Sequence, residues 1–218
     1  MNNTSEDLSN SFLSFVSEYK VLIVIALLAG IVGILGYNFY LDSKANQNSE
    51  AADVFAQLSS NYALEEKDEA LIDALHSKLE TDYGNTGFAI LGLILKAKHF
   101  GEHQESEEAL DTYYAIIDKT DGIFGDNIFN SIARINAAQL ENNLGNFNAA
   151  MEALQGLANP NDPLVLEIMG DSHAGLGNSD AAIASYSKAI EEEQSEEVKI
   201  MLRSKISMIN LFILLKKT

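Results

Sequence analysis

The chain has 218 residues, with 32 acidic against 14 basic residues and a formal net charge of −18. A surface this acidic repels nucleic acid phosphates, so direct binding to nucleic acid is not expected and proteins are the favoured class of partner. The chain contains no cysteine, which excludes disulfide bonds, thiolate metal sites and thiol catalysis.

An uncharged run follows a short acidic leader, residues 1–20. Residues 21–41 read VLIVIALLAGIVGILGYNFYL, and about 20 apolar residues suffice for a helix to cross a membrane. A cleaved signal peptide is the alternative, but the leader is not basic and the run ends in Tyr37, Phe39 and Tyr40 rather than in small residues. The sequence therefore predicts an uncleaved transmembrane anchor at 21–41, followed by one domain over 42–218.

Two features of the anchor bear on its surroundings. Lys20 and Lys44 flank opposite ends, so charge gives no orientation by the positive-inside rule. Gly30, Gly33 and Gly36 recur every three residues and predict a small-residue strip that another membrane helix can approach closely. The alternative is the ordinary glycine content of membrane helices.

Helical periodicity dominates the rest of the chain. Apolar residues recur at steps of three and four, which is typical of the buried face of a helix: Ala52, Phe55, Leu58 and Tyr62 in the first segment, and Leu71, Leu75 and Leu79 in the second. A third segment, residues 87–102, is apolar nearly all round before Lys96 and indicates a buried helix. Sustained two-residue alternation is lacking, so an all-α fold is expected.

An internal repeat appears at a constant offset of about 32 residues, close to that of a tetratricopeptide repeat. The aligned positions are Leu144-Gly145-Asn146 with Leu176-Gly177-Asn178, Ala149-Ala150 with Ala181-Ala182, and Leu154 with Tyr186. The glycines suit the positive φ at which helices end, and Asn146 and Asn178 or Ser179 suit the caps of the helices that follow. Small residues such as Ala138, Ala150, Gly170 and Ala182 allow close helix approach, and larger ones such as Leu154, Leu166, Met169 and Tyr186 fill the space between hairpins.

This pattern resembles the tetratricopeptide repeat. The last copy matches it best, at Leu166, Met169, Gly170, Ala182, Tyr186 and Ala189, and departs from it at His173 and Gln194. The preceding copy departs at Arg134 and Glu141. The resemblance implies a solenoid of paired helices after the anchor.

The order of segments resembles a narrower family. A short acidic leader, an anchor ending Gly-Tyr-Asn-Phe-Tyr, a polar helix and then degenerate repeats, including LGLILKAKHF and NSIARINAAQLENNLGNFNAAMEAL, are similar to the YfgM family over residues 15–210. That resemblance implies an ancillary subunit of the bacterial SecYEG translocon, single-pass in the inner (plasma) membrane, with 1–20 cytoplasmic and 42–218 periplasmic. It also implies association with a membrane-anchored chaperone of the PpiD type and help in handing secreted protein clients to periplasmic chaperones.

Candidate binding residues follow from the repeat phase, which places Asn127, Asn130, Arg134 and Asn142 on the concave surface where such repeats hold peptides. A purely structural role for these side chains is the alternative. The C-terminal apolar segment, residues 206–215, is too short to cross a bilayer. It predicts a helix that caps the last repeat, with docking on a partner or on the membrane surface as the alternative.

The best candidates for chemistry are His99 and His103, whose spacing puts two imidazoles on one helical face and makes a metal pair conceivable. Gly101 between them is expected to end that helix, and the nearby glutamates suit a solvated helix start. We therefore predict no catalytic, cofactor or metal site and a protein that is not an enzyme. The rival interpretations are a repeat scaffold for envelope or division machinery and, less favoured, a metal-dependent hydrolase built on the histidine cluster.

Overall fold

The computed structural model describes residue 37, residues 41–122 and residues 127–216. The predicted leader, nearly all of the predicted anchor, and Gly30, Gly33 and Gly36 lie outside these residues. The chain divides into two compact units, Met1–Asp53 and Val54–Thr218.

The described residues are helical, as the periodicity predicts, and contain no strand. Residues 41–62 are helical and are called α1. Eight helices follow: α2 (Glu69–Tyr83), α3 (Gly87–Glu102), α4 (Ser106–Thr120), α5 (Asn127–Asn143), α6 (Phe147–Ala153), α7 (Pro163–Gly175), α8 (Ser179–Glu192) and α9 (Glu196–Lys216). In this part of the chain none of the helices combines the length and the apolar character needed to cross a membrane.

Side-chain caps begin several of these helices. The Asp68 carboxylate accepts a hydrogen bond from the Leu71 backbone N–H (3.0 Å) and the Asp162 carboxylate accepts one from that of Leu164 (3.0 Å). Pro163 stands in the first turn of α7, where its missing N–H costs nothing. These contacts satisfy donors that a helix start leaves without internal partners.

The two aligned turns have the predicted glycine geometry. Gly145 after α5 has φ of +81° and Gly177 after α7 has φ of +76°, a region that disfavours other residues. Asn146 and Asn178 occupy the predicted cap positions, but neither makes a side-chain cap hydrogen bond. The Asn146 amide instead donates to the Glu141 carboxylate (2.9 Å).

Within the Val54–Thr218 unit, successive helices pack against one another, and α5 also contacts α7. Helices α3–α4, α5–α6 and α7–α8 form three helix pairs, and the two aligned repeat copies fall on the second and third of them. One core cluster includes Ile116, Ala138 and Leu154, and a second joins α7, α8 and α9 through Leu166, Tyr186 and Leu202. The prediction that Leu154 and Tyr186 are buried is confirmed, since they are 7% and 2% exposed.

The structure corrects several details of the sequence interpretation. Val54, Leu58 and Asn61 form the buried face of α1, whereas the predicted Ala52, Phe55 and Tyr62 are only partly buried. On α2, Ile72 is buried in place of Leu71. Gly101 does not end α3, which continues to Glu102. A helix end needs only one residue that leaves the helical conformation, and here Gln104, with φ of +64°, provides the reversal.

The C-terminal helix α9 caps the last repeat with its first half, so the prediction that residues 206–215 form the cap is correct for Ile206 and Ile209 and wrong for most of that segment. Leu202 is fully buried in the second core cluster, and Val198, Ile206 and Ile209 pack against it. Lys205 adds an ionic contact, because its ammonium bonds to Glu167 and Asp171 on α7. The second half of α9 leaves large apolar side chains exposed.

Candidate functional site

A groove runs across the first helices of the three helix pairs. It consists of two adjoining cavities, one of about 300 Å³ between α3, α4 and α5, and one of about 240 Å³ between α5 and α7. Both are lined by Gln139 and Asn143 of α5. We call this surface the amide groove; its other lining residues include Lys98, Glu102, Asn136, Asn142, Glu167 and Asp171.

Carboxamide side chains dominate the middle of the amide groove. Asn136, Gln139 and Asn143 are three and four residues apart, so they follow one stripe of α5. A carboxamide has two donor hydrogens and an acceptor, and although the Asn136 amide uses one hydrogen on the Ile132 carbonyl (2.8 Å), the remaining groups match the alternating C=O and N–H groups of an extended peptide. The groove is therefore suited to binding a polypeptide backbone without demanding one sequence.

Charged groups border the groove at both ends. Lys98 and Glu102 face each other on α3 at 3.8 Å, in an exposed pair. At the other end, Lys205 donates to Glu167 (2.7 Å) and to Asp171 (2.7 Å), and Tyr186 donates to Asp171 (2.6 Å). The acidic end is therefore partly neutralised from within the domain.

Burial shapes the titration of this acidic end. Burial lowers the pKa of Lys205, but hydrogen bonds to Asp171 and Glu167 and the attraction of both carboxylates outweigh burial and raise it. Burial and the hydrogen bond to Asp171 raise the pKa of Tyr186 far above its ordinary value. At neutral pH the ammonium and the phenol therefore both keep their protons.

The predicted binding residues do not share one surface. Asn142 lines the amide groove, but its carboxamide also donates to the Ile168 carbonyl (3.1 Å) and accepts from the Ser172 hydroxyl (2.8 Å). It therefore ties α5 to α7. Asn127 begins α5, and its side chain lies outside what the structure describes.

Asn130 and Arg134 lie away from the groove, in a polar network at the ends of α4 and α6. The Asn130 amide donates to the Ile117 carbonyl (3.2 Å) and to Thr120 Oγ1 (3.1 Å), and its oxygen accepts from Arg134 Nε (2.6 Å). Arg134 also donates to the Ala153 carbonyl (3.3 Å). These contacts satisfy carbonyl groups that helices leave open at their ends, which is the structural alternative raised above.

Sequence reasoning missed Asn136, Gln139 and Asn143. Their spacing was a usable signal, because it places three carboxamides on one stripe of α5 beside the buried Ala133 and Ala137. Asn130 is only 7% exposed, so a polar residue type alone did not separate groove positions from buried ones.

His76, His99 and His103 line a separate cavity of about 300 Å³ between the end of α1, α2 and α3, whereas His173 lies on α7. Tyr62 Oη lies 2.9 Å from His76 Nε2, and the rings of His99 and His103 are 4.2 Å apart. Burial, with Lys96 as a further cause, lowers the pKa of His76 to about 4, and burial followed by His103 lowers that of His99. Residues 41–122 and 127–216 contain no group of three His, Cys, Asp or Glu side chains placed to hold a metal ion.

Comparisons with known proteins give one family. The model of the family described as a tetratricopeptide repeat-like domain matches residues 14–210. No curated protein and no solved structure matches the chain.

Proposed function

Since the chain belongs to the tetratricopeptide repeat-like domain family, we propose that it binds an extended segment of a partner protein in the amide groove. Helical repeats of this kind stack into elongated binding surfaces. The binding module carries no chemistry of its own in this proposal, and the protein is not an enzyme.

The observation that carries this proposal is the continuity of the groove. Its two cavities meet at Gln139 and Asn143, so one extended peptide can contact α3, α5 and α7 in succession. The carboxamides supply backbone hydrogen bonds, and the charges at the two ends supply a preference for orientation.

Site-specific photo-cross-linking tests the groove. A photoreactive residue at Gln139 of the full chain, in native membranes, should yield a cross-linked partner band. The same residue at Asn148, an exposed polar position on α6, is the matched control and should yield none. Equal bands at both positions, or no band at Gln139, would reject the groove as the binding surface.

We further propose that the protein acts at the SecYEG translocon beside a PpiD-type chaperone and assists the handover of secreted proteins. The support is the resemblance of residues 15–210 to the YfgM family, in which an acidic leader and an uncharged anchor precede the repeats. An anchor at 21–41, with the leader in the cytoplasm and 42–218 in the periplasm, would hold the groove close to emerging chains. Such an anchor raises the effective concentration of the groove near the emerging chains, without any new contact between them.

Affinity purification of the full chain from detergent-solubilised membranes tests this assignment. SecYEG and the PpiD-type chaperone should co-purify, and a periplasm-dependent reporter fused after Thr218 should be active. Recovery of envelope or division proteins without SecYEG would favour the scaffold interpretation. Loss of co-purification in a Gly30→Leu, Gly33→Leu variant, with normal insertion, would support the predicted contact by the anchor glycines.

A further inference from the structure

Helix α9 has two apolar faces, and only one of them is covered by the repeats. On the inner face, Leu202 is fully buried and Ile206 and Ile209 pack on the second core cluster. On the outer face and along its edges large apolar side chains stay exposed: Ile200 62%, Met201 42%, Met208 62%, Leu211 57%, Phe212 55%, Leu214 61% and Leu215 63%. An exposed apolar row of this length indicates an interaction surface.

The spacing of the residues on the outer face indicates that its partner is another helix. Positions 201, 204, 208, 211 and 215 alternate steps of three and four, which is the seam of a two-helix coiled coil. Ser204 is the one small residue in this row, and its side chain permits close approach of a second helix. A helix that lies on a membrane surface instead needs a broad apolar face bordered by basic residues. Beside this row, Lys205 is already bonded to Glu167 and Asp171, and Lys216, 4.6 Å from the centre of the Phe212 ring, stands at the very end of the helix.

The helix is already ordered by its inner face. Because α9 has 21 residues, it is about 32 Å long at a rise of about 1.5 Å per residue. When a short isolated helix binds a partner, much of the binding free energy is lost in forming the helix. Here α9 is already helical before binding, because Leu202 and its neighbours pack on the repeats. The outer face therefore presents a preformed surface.

Charge distribution along α9 gives the direction of pairing. Its first turn holds Glu196, which is paired with Lys199 (3.0 Å), and Glu197, and its last turn holds Lys216. Two such helices side by side in opposite directions place Glu197 of one near Lys216 of the other. Antiparallel helix dipoles add to this preference, whereas parallel pairing would place like charges together at both ends.

We propose that the outer face of α9 binds α9 of a second copy of this chain, antiparallel and with twofold symmetry. Such an interface is self-complementary, as closed dimers require. The net charge of −18 on each copy opposes association over long distances. Added salt screens that repulsion while it leaves the apolar seam intact, so dimerisation strengthens with ionic strength.

Engineered cysteines test both the pairing and its direction, because the natural chain has none. Single variants Met208→Cys, Leu215→Cys and Asn210→Cys of the full chain are treated with a short bis-maleimide in detergent. Met208→Cys, at the middle of the seam, should cross-link to itself. Leu215→Cys should cross-link with Met201→Cys in a mixture and not with itself. Asn210→Cys is the exposed control and should stay monomeric.

Other outcomes overturn the proposal. Self-cross-linking by Met201→Cys and Leu215→Cys would mean parallel pairing. No cross-link from any seam position would mean that copies do not pair there. Protection of the Met208→Cys thiol from an aqueous maleimide only when lipid vesicles are present would assign the face to the membrane surface.

A Leu211→Glu substitution in the Met208→Cys background should lower cross-linking at least about tenfold, whereas Ser207→Glu beside the seam should lower it less.

Discussion

The Tyr186 ring of α8 occupies the space that a side chain at Gly170 of α7 would need. A Cβ atom placed on Gly170 would overlap three atoms of that ring. Overpacking of this kind in a closed core typically costs about 1–3 kcal/mol. Gly170→Ala should therefore lower the free energy of unfolding in urea denaturation of the full chain, by that cost less the gain of up to about 1 kcal/mol from the higher helix propensity of alanine.

Gly101 of α3 provides the matched control. A Cβ atom there would meet no neighbouring atom within 4 Å. Gly101→Ala should leave the free energy of unfolding unchanged or raise it by up to about 1 kcal/mol, because alanine has the higher helix propensity. An equal loss in both variants would mean that the tight contact between α7 and α8 is not the cause.

Stability should fall at alkaline pH because of the groups around Asp171. The raised pKa values of Tyr186 and Lys205 mean that the folded chain holds both protons more tightly than the unfolded chain does. Their contribution is complete below the ordinary values, 10.0 for tyrosine and 10.5 for lysine, and is lost as pH rises above them. Urea denaturation between about pH 8 and about pH 11 should show this decline. Tyr186→Phe should make the decline shallower, although Tyr62 and Tyr114, each with a pKa raised to about 12, also contribute to it. An unchanged slope would contradict the assignment to Tyr186.

Stability should also fall in mild acid because of His76. Burial lowers its pKa from 6.5 to about 4, so between these pH values His76 binds a proton in the unfolded chain and not in the folded chain. The contribution is present above about pH 6.5 and is lost as pH falls toward about 4. His76→Gln should remove this part of the pH slope, while Ser77→Gln, an exposed neighbour that does not titrate, should retain it. Equal slopes in the two variants would reject the role of His76.

Asn130 should behave as a structural residue. Asn130→Ala removes the donors to Ile117 and Thr120 and the acceptor of Arg134, all in a site that is 7% exposed. Leaving such groups without partners costs about 1–3 kcal/mol, which urea denaturation can measure. Gln139→Ala, at an exposed position of the amide groove, should change stability by less than about 0.5 kcal/mol. A stable Asn130→Ala variant that loses partner binding would restore the predicted binding role.

The repeat was predictable because its positions are fixed by packing. Gly145 and Gly177 adopt the same positive φ, Ala150 and Ala182 are fully buried, and Leu154 and Tyr186 fill equivalent places. Each of these requirements restricts the residue type, so the constant offset was visible in the sequence. The resemblance to the broader repeat family agrees with the match over residues 14–210.

The groove was less predictable because exposure of a polar residue depends on its neighbours in space. Asn130 is buried by the end of α4, and Glu141 is buried with a hydrogen bond from Tyr114 (2.9 Å). Neither partner is near in sequence, and polar residues that are bonded internally have the same residue types as those that bind ligands. The outer face of α9 was foreseen only as an apolar segment, since its division into two faces depends on where α8 lies.

In the Val54–Thr218 unit each helix packs mainly on the helices next to it in the chain, and this order affects how the unit folds. Nearly all helix contacts join elements adjacent in the chain, and the contact of α5 with α7 skips only the short α6. Contacts between residues near in sequence close with little loss of chain entropy, so folding of such a unit is fast. A helix pair that has emerged during synthesis can fold against the one before it without waiting for the remainder of the chain. The last element to complete this order is α9, so a chain cut before Glu196 would keep its earlier hairpins and lose the cover over Leu166 and Tyr186.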